Sequence, residues 1–190
     1  MAEPLLDRHA DALKLFGGLV HAVRPDQWDA STPCTEWTVR DLINHVTGEQ
    51  LWIPPLVSEG RTVADVGDAL SGDLLGDDPA AAWDRAAEGA SAALAEPGAL
   101  ERTVQLSYGP AKGAAYCSEL TADTVVHAWD LARGIGADDR LPVDLVEFSL
   151  KEVMPYAGTL ADSGMYAPPL DIPPGADAQT RLLALLGRQA

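Results

Sequence analysis

Apolar residues recur at spacings of three and four along most of the chain, a pattern typical of helices that bury one face. The first such stripe predicts a helix from Pro4 to Val23, and Pro25 is expected to end it. The residues of this stripe are Leu6, His9, Leu13, Phe16, Val20 and Val23. The chain is therefore expected to open with a helix that packs against partner helices.

A second helix is predicted over Val39–Trp52. Thr38 followed by Asp41 resembles a capping box, in which two side chains bind free backbone N–H groups at a helix start. The adjacent prolines, Pro54 and Pro55, are expected to stop this helix, because proline has no N–H for the helical ladder.

In the rest of the chain, proline and glycine mark the ends of elements, and one segment alternates apolar and polar residues. Residues 58–78 are rich in Gly and Asp and predict a loop with a possible short turn, whereas Glu101–Tyr108 alternates apolar and polar residues and predicts an extended segment. Gly109 and Pro110 are expected to form the turn after that segment. Gly134 is expected to cap the helix predicted to end at residue 133. Further helices are predicted over 80–95, 118–133, 142–160 and 177–186.

This succession of helices with little strand predicts an all-α protein. We expect an up-and-down helix bundle that forms a single domain over residues 1–190, with a small extended insertion and a short C-terminal helix. A chain of 190 residues can bury such a core without disulfides or structural metals.

The charge balance restricts the partners and the compartment. The chain has 29 Asp and Glu against 13 Lys and Arg, a formal net charge of −16. Nucleic acid and anionic membranes need a basic face, so neither is an expected partner. There is no run of about 18 apolar residues that would predict a membrane span. The first residues lack the apolar stretch of a signal peptide, and two cysteines are too few for a disulfide framework, so we expect a cytoplasmic protein.

Histidine is scarce, and its positions carry the candidate chemistry. Two of the four histidines, His45 and His127, lie among apolar residues on different predicted helices. Asp123 precedes His127 by four residues, so both side chains leave the same helix face. With His45 from a facing helix they could hold one divalent ion, either Zn²⁺ with an open position or non-haem Fe²⁺. The alternative at this spacing is an ordinary carboxylate–imidazole pair on a helix surface.

Other candidate residues have a chemical and a structural interpretation. Glu49, one turn after His45, could shuttle protons or support a metal ligand, but an exposed helix glutamate is the simpler interpretation. Asp130 could orient an imidazole N–H, as metal sites require, or pair with Arg133. The thiol of Cys34, close to a helix start, could have a lowered pKa, but the surrounding TPCTEW favours a packing corner.

The remaining histidines have simpler expected roles. His9 lies on the apolar stripe of the first helix and is expected to be a core or rim histidine. His21 lies near the end of that helix and is expected to interact with its terminal carbonyls.

The chain resembles a known family in two segments, WDASTPCTEWTVRDLINHVTGE and, further along, LTADTVVHAWDLARGIG. They are similar to the actinobacterial metal-binding branch of the DinB/YfiT-like superfamily, close to the N-terminal domain of mycothiol-dependent maleylpyruvate isomerase. The closing RLLALLGRQ is also similar to this branch. The resemblance covers nearly the whole chain, and the joint motif is more specific than either half.

The resemblance implies a DinB/YfiT-like four-helix bundle with one divalent metal, zinc or nickel, and Fe²⁺ stays an alternative from the ligand set alone. The implied ligands are His45, Asp123 and His127. The implied activity is that of a transferase or isomerase that uses a low-molecular-weight thiol, mycothiol, on a small electrophilic substrate. Two departures are expected to matter: the isomerases have Glu where this chain has Asp123, and we expect no counterpart of their additional C-terminal domain. The substrate's identity therefore does not carry over.

Three functions are compatible with these observations. The first is a metal- and thiol-dependent transferase or isomerase in which Glu49 or Asp130 handles protons. The second is a non-catalytic metal-binding or stress-response module. The third is a helical scaffold in which His45 and His127 merely satisfy each other. A homodimer is a further open expectation, because dimers are common among small proteins.

Overall fold

The computed structural model describes residues 2–156, 167–172 and 174–190, which are mostly helical. In chain order the elements are α1 (Ala2–Ala22), α2 (Val39–Ile53), α3 (Val63–Val66), α4 (Pro79–Leu94), β1 (Thr103–Leu106), β2 (Gly109–Lys112), α5 (Gly113–Ile135), α6 (Val143–Val153) and α7 (Ala178–Leu185). The all-α class predicted from the sequence is confirmed.

Four long helices form the expected bundle. Helix α1 packs against α4 and α5, and α2 packs against the same two helices, so the four surround one apolar interior. Phe16, Leu42, Trp83 and Trp129 are completely or almost completely buried there. Helix α6 packs on the outer side of α5, and α7 packs against α6. The bundle thus brings α2 and α5, which carry the candidate histidines, into contact.

The start of α2 follows the predicted capping box. The Thr38 hydroxyl accepts the N–H of Asp41, and the Asp41 carboxylate accepts the N–H of Thr38. Helix α2 ends at Ile53 as the proline pair predicts, but the chain continues in a π-helical turn, Pro54–Ser58. The two prolines have no N–H to donate to the carbonyls of the preceding turn, so the regular α-helical hydrogen bonding of α2 stops here.

The hairpin turn is displaced from its predicted position. Leu106 pairs with Gly109 and Gln105 with Pro110, so the turn consists of Ser107 and Tyr108, and the expected turn residues belong to β2. The positive φ falls on the next residue, Gly109, at 125°, so this glycine provides the conformational freedom at the start of β2 and not within the turn.

The end of α5 also lies beyond its predicted cap. The helix continues through Gly134 to Ile135, and Gly136, with φ of 67°, provides the left-handed cap. A Cβ on Gly134 would lie 3.2 Å from atoms of both Thr32 and Val39. Gly134 therefore serves close packing against the connector before α2, whereas the conformational freedom of glycine is needed at Gly136.

Two smaller expectations concern the linkers. The predicted loop over residues 58–78 contains α3 and a 3₁₀ turn, Gly67–Leu70. Helix α6 ends at Val153, and residues 157–160 of the predicted helix lie outside the described residues. Within the described segments, none of the helices combines the length and apolarity needed to cross a membrane.

Candidate metal centre

Helices α2 and α5 bring together the three side chains that the sequence singles out. Nε2 of His45 lies 4.0 Å from Oδ2 of Asp123, and Nε2 of His127 lies 3.4 Å from Oδ1 of the same carboxylate. One ligand atom from each residue falls within 4.8 Å of the other two. Metal–ligand bonds near 2 Å separate neighbouring ligands by about 3–4 Å, so small side-chain adjustments would close the group on one ion. Metal ligation by these residues stays a prediction.

The three side chains differ in their access to solvent. The side chain of His127 is 7% exposed and that of Asp123 21%, whereas His45 is 34% exposed. His127 is therefore almost closed to solvent, whereas His45 and Asp123 stay partly accessible. A small molecule could reach the group at either of these two side chains.

A buried carboxylate decides which nitrogen of His127 faces this cluster. Asp130, fully buried, lies with Oδ2 3.0 Å from Nδ1 of His127. An ionised carboxylate can only accept, so Nδ1 carries the proton and Nε2 points to Asp123. Metal-binding histidines almost always donate their second N–H in this way. Of the two interpretations of Asp130, orientation of an imidazole is the one observed, since Arg133 pairs instead with Asp139.

Asp130 is itself held by the C-terminal segment. Arg188 donates from Nε and Nη2 to the Asp130 carboxylate over 2.9 and 2.8 Å. Burial alone would raise the pKa of Asp130, but hydrogen bonds from His127 and Arg188 lower it to about 2. Asp130 is therefore a charged acceptor at neutral pH.

Cys34 joins the same network. Its thiol donates to Oδ2 of Asp130 over 3.1 Å, and Nη2 of Arg188 lies 3.5 Å from its sulfur. Cys34, His127 and Asp130 thus form a second group of possible metal ligands within 4.8 Å. The guanidinium of Arg188 already supplies the positive charge here, so the group with Asp123 is the better cation site. Cys34 also packs against the core, as its packing-corner interpretation predicts.

Trp37 forms a wall of the centre, a role that the sequence analysis did not assign to it. Its ring lies 4.7 Å from the ring of His45 and 6.0 Å from that of His127, centroid to centroid. Thr32 fixes the connector beneath it by accepting the N–H of Cys34 and donating to the carbonyl of Trp37. The connector before α2 therefore shields one side of both imidazoles.

The electrostatics of the two histidines are opposite. Burial lowers the pKa of His45, and the charge of Asp123 only partly opposes this. Burial also disfavours charge on His127, but the Asp123 charge and hydrogen bonds to Asp123, Asp130 and Cys34 raise its pKa well above the usual value. His127 lowers the pKa of Asp123 in return, against the effect of burial. The centre therefore joins a neutral imidazole to a charged carboxylate–imidazole pair.

Glu49 is less exposed than the sequence predicts. It is half-buried on α2, and burial, followed by the nearby charge of Asp123, raises its pKa to about 7. A carboxyl group with this pKa can both accept and release a proton near neutral pH. The burial depends on how α2 packs, which residue spacing alone does not reveal.

A cavity adjoins the centre at Asp123. It has a volume of about 100 Å³ and lies between α5, α6 and the end of α7. Its lining includes Glu119, Asp123, Val126, Glu152, Tyr156 and Leu186. The volume is below the roughly 300–1,000 Å³ of typical small-molecule sites, so it would admit one end of a ligand.

The other two histidines lie outside the centre. His9 is a core histidine, 2% exposed, whose Nδ1 lies 3.1 Å from the hydroxyl of Thr121. His21 pairs with Asp84 over 3.0 Å at the surface. The expected contact of His21 with terminal carbonyls is wrong, because α4 presents a carboxylate within reach.

Comparison with known proteins places these residues in context. Residues 9–132 match the family model described as mycothiol maleylpyruvate isomerase N-terminal domain. Two uncharacterized proteins of Mycobacterium tuberculosis, from two strains, are each 34% identical over 143 residues, or 75% of this chain and 73% of theirs. No solved structure matches the chain. The family match covers His45, Asp123, His127 and Asp130 and ends before Arg188.

Proposed function

The chain belongs to the mycothiol maleylpyruvate isomerase N-terminal domain family, and we propose that it binds one divalent cation through His45, Asp123 and His127. The cation serves a thiol-dependent transfer or isomerisation of a small electrophile. Zn²⁺ is the proposed ion and mycothiol the proposed thiol. Two imidazoles and one carboxylate are a ligand set that leaves a fourth position of Zn²⁺ open.

One observation carries this proposal. Nε2 of His127 lies 3.4 Å from Asp123, while its Nδ1 is hydrogen-bonded to the buried Asp130. A surface carboxylate–imidazole pair would need no buried acceptor behind the ring. The arrangement instead matches a ligand whose ring is held in one orientation before the ion binds.

The chemistry divides between the ion and the side chains. When bound, the cation acts as a Lewis acid that makes loss of a thiol proton favourable near neutral pH. Glu49 accepts that proton, since it lies one turn beyond His45 on α2 and its burial favours the protonated carboxyl. The thiolate sulfur would then bond to the electrophilic carbon, and the proton held by Glu49 would return to the adduct. In a transfer this adduct is the product, whereas in an isomerisation the C–S bond would break again and release the thiol. Trp37 shields the imidazoles from water.

The cavity beside Asp123 supports a catalytic rather than a purely structural ion. A structural site closes its coordination shell with protein ligands, whereas a catalytic site keeps a position for substrate. The cavity of about 100 Å³ would admit the thiol end of a cosubstrate at this position.

Zinc content and thiol-dependent conversion of an electrophile test the proposal together. Protein purified without an affinity tag is expected to bind one Zn²⁺, and His127→Ala to bind none. His21→Ala is the matched control, because His21 also faces a carboxylate, Asp84, but at the surface. Mycothiol-dependent conversion of a small electrophile is then measured for the wild type and for Glu49→Gln, for which a large loss of rate at unchanged zinc content is expected.

The outcomes separate the alternatives. Zinc binding without thiol turnover would favour the non-catalytic metal-binding or stress-response module. Equal zinc content in the wild type and His127→Ala would refute the metal centre.

A further inference from the structure

We infer that Arg188 is a positioning residue, which holds the ring of His127 through Asp130 and so sets the affinity of the centre for its cation. The segment after α7 thereby controls a site formed by α2 and α5. The expected effect on cation affinity rests on the proposed function. The contact of Arg188 with Asp130 is independent of it.

The guanidinium of Arg188 is fully engaged. Nε lies 2.9 and 3.1 Å from the two carboxylate oxygens of Asp130, and Nη2 lies 2.8 Å from Oδ2. Nη2 also lies 3.5 Å from Sγ of Cys34, and Nη1 donates to the carbonyl of Leu186 over 3.1 Å. The side chain is only 10% exposed. An arginine bound on all sides in this way is part of a built site, unlike a surface ion pair.

The end of α7 aims this side chain at the bundle. Gly187 adopts φ of 74°, and the N–H of Arg188 bonds to the carbonyl of Leu183 over 2.9 Å. This is the hydrogen bond that closes a helix end after a left-handed glycine. Leu182 and Leu183 are fully buried, so α7 is anchored while the chain reverses towards Asp130.

Loss of Arg188 would change the orientation of the His127 ring through Asp130. The buried carboxylate would lose its hydrogen bonds from the guanidinium and its counter-charge. Asp130 would keep only the His127 N–H and the Cys34 thiol as donors, which leaves its Oδ1 unpaired in a buried site, so the carboxylate would turn to find another donor. That movement weakens its hydrogen bond with Nδ1 of His127, and the ring no longer holds Nε2 towards Asp123.

Zinc affinity, measured by competition with a chromophoric chelator, tests the inference. R188Q is expected to bind Zn²⁺ roughly 10–100-fold more weakly, the usual effect of removing support behind a metal-binding histidine. R181Q is the matched control, since Arg181 is an exposed arginine on α7, and it should keep the wild-type affinity. R188K keeps the positive charge but loses the planar guanidinium with its several N–H donors, so it should also bind Zn²⁺ more weakly. It serves as the second variant if R188Q does not fold.

A double-mutant comparison separates positioning from a general loss of stability. If Arg188 acts through Asp130, the variant carrying both D130N and R188Q should bind Zn²⁺ no more weakly than D130N alone. Additive losses in the double variant, or an affinity of R188Q and R188K within twofold of the wild type, would overturn the inference.

A measurement without metal keeps the two proposals distinguishable. In ¹⁵N-labelled metal-free protein at fixed pH, the Nδ1–H proton of His127 is expected to exchange slowly with water. In R188Q this signal should be lost, and in R181Q it should remain. If the wild type binds no Zn²⁺ but this pattern is found, the metal centre is refuted and the role of Arg188 is upheld. A signal unchanged in R188Q would contradict that role.

Discussion

Nδ1 of His127 lies 3.0 Å from Oδ2 of Asp130, one helical turn further along α5. This contact directs the other ring nitrogen to Asp123 and towards His45. Two clusters of possible ligands thus share one imidazole, and each uses a different nitrogen. The guanidinium of Arg188 occupies one cluster, which leaves the other for a cation.

Metal addition should stabilise the fold through this cluster. At about 1,000 times its dissociation constant, Zn²⁺ should add about 4 kcal/mol to the free energy of unfolding, or roughly 10 °C in melting temperature. Asp123→Asn should lose most of this shift, whereas Asp84→Asn, which alters an exposed aspartate, should keep it. Thermal melts with Zn²⁺ and with excess chelator measure the difference. A shift of equal size in both variants would contradict the site.

His9 should make stability fall in mild acid. Burial lowers its pKa from 6.5 to about 4, so the unfolded chain binds a proton more readily between these values. The contribution is complete above pH 6.5 and is lost as the pH falls towards 4, a change of about 3 kcal/mol. Denaturant unfolding across this range should show a shallower slope for His9→Asn than for the wild type.

The exposed His21 provides the control for this pH series. His21→Asn removes a histidine that lies at the surface, so it should retain the wild-type slope. If His9→Asn and the wild type lose stability in parallel, another group carries the acid sensitivity.

The turn that presents Trp37 contains a strained residue. The N–H of Trp37 bonds to the carbonyl of Cys34 over 3.0 Å, and within this turn Glu36 has φ of 73°. The left-handed conformation costs an ordinary residue about 1–2 kcal/mol, whereas glycine adopts it freely but is less constrained in the unfolded chain. Glu36→Gly should therefore raise the free energy of unfolding by up to about 1 kcal/mol. Glu36→Ala, which keeps the strain, should show no gain in chemical denaturation.

Gly187 should not tolerate a side chain. Its φ is 74°, and a Cβ would lie 2.6 Å from Cβ and 2.8 Å from the carbonyl oxygen of Ala167. Gly187→Ala should lose about 1–2 kcal/mol of stability from the backbone conformation alone. Because Arg188 follows directly, the variant should also bind Zn²⁺ more weakly.

Gly18 offers the opposite case as a control. It lies within α1 with nothing within 4 Å of an added Cβ. Gly18→Ala should therefore stabilise the protein by roughly 0.5–1 kcal/mol and leave zinc affinity unchanged. Calorimetry and chelator competition on the two variants give both quantities.

The helices were predictable because their signals are local. Periodic apolar residues and the capping residues Thr38 and Asp41 act within a few positions of the elements that they specify. The misplaced turn at Gly109 and cap at Gly134 have a common reason. A glycine in the sequence does not reveal whether it provides conformational freedom or room for a neighbouring segment, and at Gly134 it provides room.

The candidate site divides in the same way. The sequence alone determined that Asp123 and His127 share a face, since four residues span one helical turn, and that His45 lies on another amphipathic helix. Only the tertiary structure decided that Asp130 faces Arg188, 58 positions away, and Cys34, 96 positions away, and that α2 half-buries Glu49. Helical geometry relates residues one turn apart whatever the rest of the chain does. Partners so distant in sequence meet only through the packing of whole helices, which no local pattern encodes.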